Sequence, residues 1–150
     1  MHIEQLMTSD VACCTADTPL REVAQMMIDN DCGAIPVVSG MEDRRLLGIV
    51  TDRDIAIRTV AKGLNPVSIE AGAIMSSPVV AVSPQTSIEE TLRLMEEKQV
   101  RRVPVVADEN RLVGIVAQAD VALKAGDATA GQVVEEISRP SGARSGGGFR

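Results

Sequence analysis

Ile35-Pro36-Val37-Val38, followed by Leu46-Leu47-Gly48-Ile49-Val50-Thr51-Asp52-Arg53-Asp54, decides the fold because the chain states it twice. The first phrase returns 68 residues later as Val103-Pro104-Val105-Val106. The second returns 66 residues later as Leu112-Val113-Gly114-Ile115-Val116-Ala117-Gln118-Ala119-Asp120. Upstream, Met7, Ser9, Val11, Thr18 and Met27 find identical residues at the offset of 68. Self-similarity of this extent marks two copies of one unit. A unit of about 50 residues buries little apolar surface alone, so the copies are expected to pack together with pseudo-twofold symmetry.

Each copy reads as strand, helix, strand, strand, helix. Short apolar runs at 11–15 and 79–82 predict a first strand. Thr18-Pro19 predicts a helix start, with a hydroxyl cap and proline at the first helical position. Leu20, Val23, Ala24 and Met27 then form one apolar stripe. In the second copy Thr86 and Glu89 predict a capping box, followed by the stripe Ile88, Leu92, Met95. Runs at 35–38, 46–50, 103–106 and 112–116 predict strands apolar on both faces, as in sheets covered by helices. Gly63, Asn65 and Pro66 break the helix between the copies. Residues 3–7 and 68–75 look like short lead-in helices to copies one and two, and a similar lead-in recurs at 130–138 with no third copy behind it. The expected organisation is a first repeat with its lead-in over 1–63, a linker and lead-in over 64–74, a second repeat with a terminal helix over 75–137, and a flexible tail over 138–150.

Composition removes several classes of function. With 15 basic and 21 acidic residues the net charge is -6, which disfavours a polyphosphate backbone. Phe149 is the only aromatic residue, so there is no platform on which single-stranded bases could stack. No apolar run approaches the ~20 residues of a membrane span, and the start does not read as a signal peptide. Three cysteines, Cys13, Cys14 and Cys32, do not read as a disulfide framework. These features predict a cytoplasmic protein with no nucleic-acid or membrane partner.

Chemistry concentrates at the end of the second phrase. With Thr51 as N-cap, Asp54 is the third helical residue, and the exposed N–H groups there suit an anion such as phosphate. The Thr51 hydroxyl can donate to a phosphate oxygen, and Arg53 can add a charge-assisted bond. The Asp54 carboxylate only accepts, and its two oxygens suit paired hydroxyls such as those of ribose. The same spacing describes a helix cap that binds nothing, and on spacing alone the cap is the commoner reading. Copy two keeps Asp120 but has Ala117 for Thr51 and Ala119 for Arg53, so the two copies should differ in affinity for one ligand.

Taken together, the duplication, the Pro-Val-Val strands and the Gly-x-x-Thr-x-x-Asp phrase resemble a tandem pair of CBS (cystathionine-β-synthase) domains, a Bateman module of the stand-alone bacterial type. The resemblance covers about residues 3–125. It implies an α+β fold of two β-α-β-β-α repeats and a non-catalytic regulatory role. It also implies clefts between the repeats that take an adenine nucleotide or other adenosyl ligand: AMP, ADP, ATP or S-adenosylmethionine. By that likeness Asp54 and Asp120 would hold ribose hydroxyls, and Thr51 would face phosphate. Thr15, Ala34, Ile35 and Pro36 would border adenine in one cleft. Ser83, Arg102, Val103 and Pro104 would do so in the other, and Arg101 and Arg102 would reach phosphate. A homodimer and a protein target of unknown identity are further implications, and no cofactor is obligatory.

Two other readings compete. In one, the clefts stay empty and the module dimerises and docks a partner protein. In the other, Cys13, Cys14 and Cys32 sense metal or thiol chemistry, although they lack the C-x-x-C spacing of zinc sites. No catalytic residues and no metal ligands are assigned: the sole histidine, His2, is terminal, and no nucleophile-base phrase or phosphate-binding loop occurs.

Overall fold

Thr15 ends the first strand because its N–H donates to the Thr18 hydroxyl (3.1 Å) while the Thr18 N–H donates back to the Thr15 carbonyl. In the computed structural model, which describes residues 1–121, β1 is therefore only Cys14–Thr15. This turn also changes the expected cap. The Thr18 hydroxyl is occupied by Thr15, so Pro19, without a side-chain bond, is the N-cap of α1 (Leu20–Asp29). Leu20, Val23 and Met27 are buried as the stripe requires, but Ala24 is exposed. The buried stripe is narrower than the sequence spacing suggests.

β2 (Ala34–Val38) pairs parallel with β1 and antiparallel with β3 (Leu46–Thr51), giving the sheet order β1-β2-β3. Proline inside a central strand removes a ladder donor. Here β1 is so short that it pairs only with Val37 and Val38, leaving Pro36 clear of it. β2 is buried almost throughout, but β3 alternates and Leu47 is exposed. Within this sheet the expected two-faced burial thus holds for the central strand and not for β3. α2 (Asp52–Arg58) follows directly. Gly63 then takes a left-handed conformation (φ 77°) that ends a short 3-10 turn, and α3 spans Ala71–Ile74.

The second repeat repeats these choices. The Thr86 hydroxyl accepts from the Ser83 N–H (3.0 Å), as Thr18 does from Thr15. The expected Thr86–Glu89 box is accordingly replaced by Ser87, which caps α4 (Ile88–Lys98) by accepting from the Glu90 N–H at 3.1 Å. Ser87→Ala is expected to lower stability by about 1 kcal/mol, measurable by urea denaturation. Ile88, Leu92 and Met95 are buried. β4 (Arg102–Ala107) pairs with β5 (Arg111–Ala117), which runs into α5 (Gln118–Asp120). The expected strand at 79–82 is reduced to one parallel bridge, Val82 to Val105. Even backbone irregularities recur at the repeat offsets: positive φ at Asp31 and Gln99, and at Arg44 and Asn110.

The described chain divides into two compact units. One, the first-repeat unit, is Ala12–Val79 with Asp108–Leu112, and its core holds Leu20, Val23, Ile35, Val37, Val50, Ala71 and Ile74. The other, the second-repeat unit, is Met1–Val11, Val80–Ala107 and the chain from Val113, with Ile3, Leu6, Leu92, Val103, Val105 and Val116 in its core. Each lead-in segment therefore packs on the repeat it does not introduce. In the first-repeat unit the Ala71 N–H donates to the Thr18 carbonyl, and Ser76 exchanges two backbone hydrogen bonds with Ile49 (2.9 and 3.1 Å). In the second-repeat unit the Ile3 N–H donates to the Thr86 carbonyl, and Thr8 exchanges two with Ile115 (2.9 and 3.0 Å). The lead-in at 130–138 and the tail at 138–150 lie outside the described residues.

Candidate functional site

β3 delivers Thr51 to the start of α2, and two reciprocal bonds hold the turn. The Thr51 hydroxyl accepts from the Asp54 N–H (3.0 Å), and the Asp54 carboxylate accepts from the Thr51 N–H (3.0 Å). The cap reading of this spacing is thus realised, and the ligand reading has to operate on top of it. It has room to do so. Because Thr51 Oγ1 accepts from the backbone, its own proton points elsewhere and remains a donor. Asp54 is held on further sides: the Ser76 hydroxyl donates to Oδ2 at 3.5 Å, and Arg58 Nη2 lies 3.8 Å from Oδ1. Arg58 is fixed in turn by donating to the Ile74 carbonyl at 2.8 Å. The Asp54 side chain keeps 12% of its surface exposed, so it offers an edge rather than an open face.

Several residues assigned from sequence assemble around this turn. Ala34 lies directly across from Thr51 in the β2–β3 register, with Ile35 and Pro36 next along the strand. The Asp52 N–H donates to the Gly33 carbonyl at 2.9 Å. Arg53 is exposed on the first turn of α2. Thr15 is not brought to Thr51. It pairs with Val38, four residues along β2 from Ala34, about 13 Å away at the rise of a strand, and its hydroxyl donates to Asp17.

The second-repeat unit carries the same turn without the hydroxyl. The Ala117 N–H donates to the Asp120 carboxylate at 2.9 Å, and the Gln118 N–H donates to the Arg101 carbonyl at 3.0 Å. Arg101 and Arg102 are half-buried at the start of β4, and Val103 and Pro104 are buried. Ser83 sits in the turn before α4, its hydroxyl 3.1 Å from that of Thr86. Sequence reasoning missed Ser76 and Arg58. Arg58 was visible as an i,i+4 partner of Asp54, whereas Ser76 comes from the exchanged segment and leaves no local signal.

Residues 3–59 and 71–139 match the CBS domain. The chain belongs to the CBS domain family. Hypoxic response protein 1 of Mycobacterium tuberculosis is 42% identical over 135 residues, covering 90% of this chain and 92% of that protein. Its crystal structure, with two coordinated zinc ions, superposes with a TM-score of 0.75 over 83% of this chain and 98% of that one. The CBS domain-containing protein YhcV of Bacillus subtilis is 40% identical over 140 residues, covering 91% of this chain and 94% of that protein. A CBS domain pair crystallised with 5'-methylthioadenosine and S-adenosyl-L-methionine is 24% identical and has a TM-score of 0.73.

 The alignment with that pair takes in 84% of this chain and 96% of the other, and it is a likeness of fold.

Among the described residues no three His, Cys, Asp or Glu side chains gather where an ion could be held. Cys13 and Cys14 point apart: Cys13 Sγ accepts from Arg44 Nη2 at 3.1 Å, while Cys14 packs into the core of the first-repeat unit. Burial, and secondarily the neighbouring Cys13, push the Cys14 thiol from 9.0 up to about 11. Above pH 9 the unfolded chain gives up this proton and the folded chain keeps it. Stability is therefore whole below pH 9 and falls as pH rises through 11, by up to about 1.4 kcal/mol per pH unit. Thermal unfolding from pH 8 to 10.5 checks this, with Cys14→Ala expected to flatten the decline. Among the described residues no helix is long and apolar enough to cross a membrane.

Proposed function

We propose that this CBS pair is a non-catalytic regulatory module of the cytoplasm that binds an adenosyl nucleotide and signals its presence to a protein partner. The observation that carries the reading is the Thr51–Asp54 turn, where one hydroxyl proton and one carboxylate edge remain available beside Ala34. Thr51 donates to a phosphate, Arg53 adds charge, and Asp54 accepts from the two ribose hydroxyls. Ala34, Ile35 and Pro36 flank the base. In the second repeat Asp120 keeps the ribose role, Ser83, Val103 and Pro104 border the base, and Arg101 and Arg102 take up phosphate in place of the hydroxyl that Ala117 lacks. AMP, ADP, ATP and S-adenosylmethionine are the ligand class. Calorimetric titration with each tests the reading, with dissociation constants of about micromolar size expected. No heat and no thermal shift with any of them would overturn it.

The module works as a homodimer in this reading. Ile57, Val60, Leu64 and Val67 expose 42%, 62%, 50% and 60% of their surface within one short stretch of the first-repeat unit, and exposed apolar groups this close in sequence suit a contact with a second copy. Light scattering that returns the monomer mass at all concentrations would remove this part.

A further inference from the structure

Asp54, the residue proposed to hold ribose, is gripped from outside its own turn. Its Oδ2 accepts from the Thr51 N–H at 3.0 Å and from the Ser76 hydroxyl at 3.5 Å. Its Oδ1 faces Arg58 Nη2 at 3.8 Å. That separation is too long for a hydrogen bond, so the pair is electrostatic and the lone pairs of Oδ1 remain open to a donor. Arg58 Nη1 meanwhile donates to the Ile74 carbonyl at 2.8 Å and to the Met75 carbonyl at 3.4 Å. One guanidinium thus spans the carboxylate and the end of the lead-in segment, a task that its fork of donors suits and the single nitrogen of a lysine does not. Ser76 spans the same gap a second time, because its backbone is paired with Ile49 while its hydroxyl reaches Asp54. Residues 74–76 therefore dock partly on Asp54. They also lie shortly before the chain enters the second-repeat unit at Val80.

We propose that Arg58 is a positioning residue: with Ser76 it ties the Asp54 carboxylate to residues 74–76, so that fixing Asp54 tightens the docking of that segment and loosening the segment frees Asp54. In its ligand part the proposal rests on the nucleotide reading above. A diol that donates to Oδ1 displaces no hydrogen bond of Arg58, and it holds the carboxylate in the orientation that Arg58 and Ser76 require. Binding and docking therefore favour each other, and the coupling is reciprocal. The presence of the nucleotide is read out at the segment through which the first repeat hands the chain on to the second.

Amide hydrogen exchange of the full-length chain tests this at Ile49 and Ser76, whose N–H groups donate to each other's carbonyls. Without ligand, Asp54→Asn and Arg58→Gln are each expected to speed exchange at both amides by about threefold, and the double variant by no more than either alone. AMP or S-adenosylmethionine at saturation is expected to slow both amides of the native chain by about fivefold beyond any slowing at Ser39, whose N–H donates to the Arg45 carbonyl in the loop joining β2 and β3. Arg58→Gln should lose that excess and bind about fivefold more weakly, and Arg58→Lys, which keeps the charge, should recover part of both. An arginine with a structural role alone would change the rates but leave the slowing by ligand intact. Binding with the same excess slowing in the native and Arg58→Gln chains would overturn the proposal, and so would additive effects in the ligand-free cycle. Absence of binding would overturn the nucleotide reading instead, with the ligand-free cycle still deciding whether Arg58 ties Asp54 to residues 74–76.

Discussion

Gly48→Val is expected to lower folding stability by about 3 kcal/mol, near the upper end of overpacking effects. A Cβ at Gly48 would stand 2.5 Å from Met75 Sδ, 2.8 Å from Met75 Cγ and 2.9 Å from the Ser76 carbonyl oxygen. The methionine can swing away, but the carbonyl belongs to the backbone pair that joins Ser76 to Ile49. Relief therefore means breaking that pair and lifting Ala71 and Ile74 from the core. In a chain of this size the melting temperature should fall by roughly 6–12 °C. Gly114→Val should behave alike, because its Cβ would stand 2.5 Å from Met7 Sδ and 3.0 Å from the Thr8 carbonyl oxygen. Gly40→Val is the control. Nothing lies within 4 Å of a Cβ there, and the expected change is within about 0.5 kcal/mol. Calorimetric melting of the three variants checks the ranking. Equal melting temperatures for Gly48→Val and Gly40→Val would show that the close approach is absent.

Asp54→Ala is expected to act on stability and on ligand binding together. It removes the acceptor for the Thr51 N–H and the partner of Ser76 and Arg58, at a cost of about 1–2 kcal/mol. It also removes the group proposed to hold ribose, so affinity for AMP or S-adenosylmethionine should drop about tenfold, or 1.4 kcal/mol. Asp54→Asn separates the two effects. Its amide oxygen still accepts from Thr51, so most stability should return, while the lost charge and acceptor keep affinity low. Titration calorimetry and thermal melting on both variants give the comparison. An Asn variant that binds as tightly as the native chain would remove Asp54 from the ligand reading and leave it as a cap.

The elements most legible in the sequence were those set by neighbours in the chain. The strands around Pro36 and Pro104 and the stripes of α1 and α4 follow from side-chain period, which burial on one face imposes. The Thr51–Asp54 turn follows from the i to i+3 reach of a cap. Errors arose where two hydroxyls stood close together. Thr86 and Ser87 both suit an N-cap, and because the Thr86 hydroxyl accepts from the Ser83 N–H, the role falls to Ser87. The candidate site was legible to the same depth: Thr51, Arg53 and Asp54 stand within three residues of one another, while Ser76 arrives from 22 residues beyond Asp54.

By itself the amino-acid order determined the duplication, the order of elements within each copy, and the paired hydroxyl and carboxylate that one copy keeps and the other halves. All of these depend on residues close enough along the chain to sense one another before any core exists. Tertiary structure alone decided which repeat each lead-in segment covers. Residues 3–7 and 71–75 share the spacing of their buried positions, Ile3 and Leu6 against Ala71 and Ile74, and each ends on a methionine. The choice rests on backbone pairs such as Thr8 with Ile115 and on a sulfur lying against a bare glycine, contacts that come into being only when distant strands are already in place.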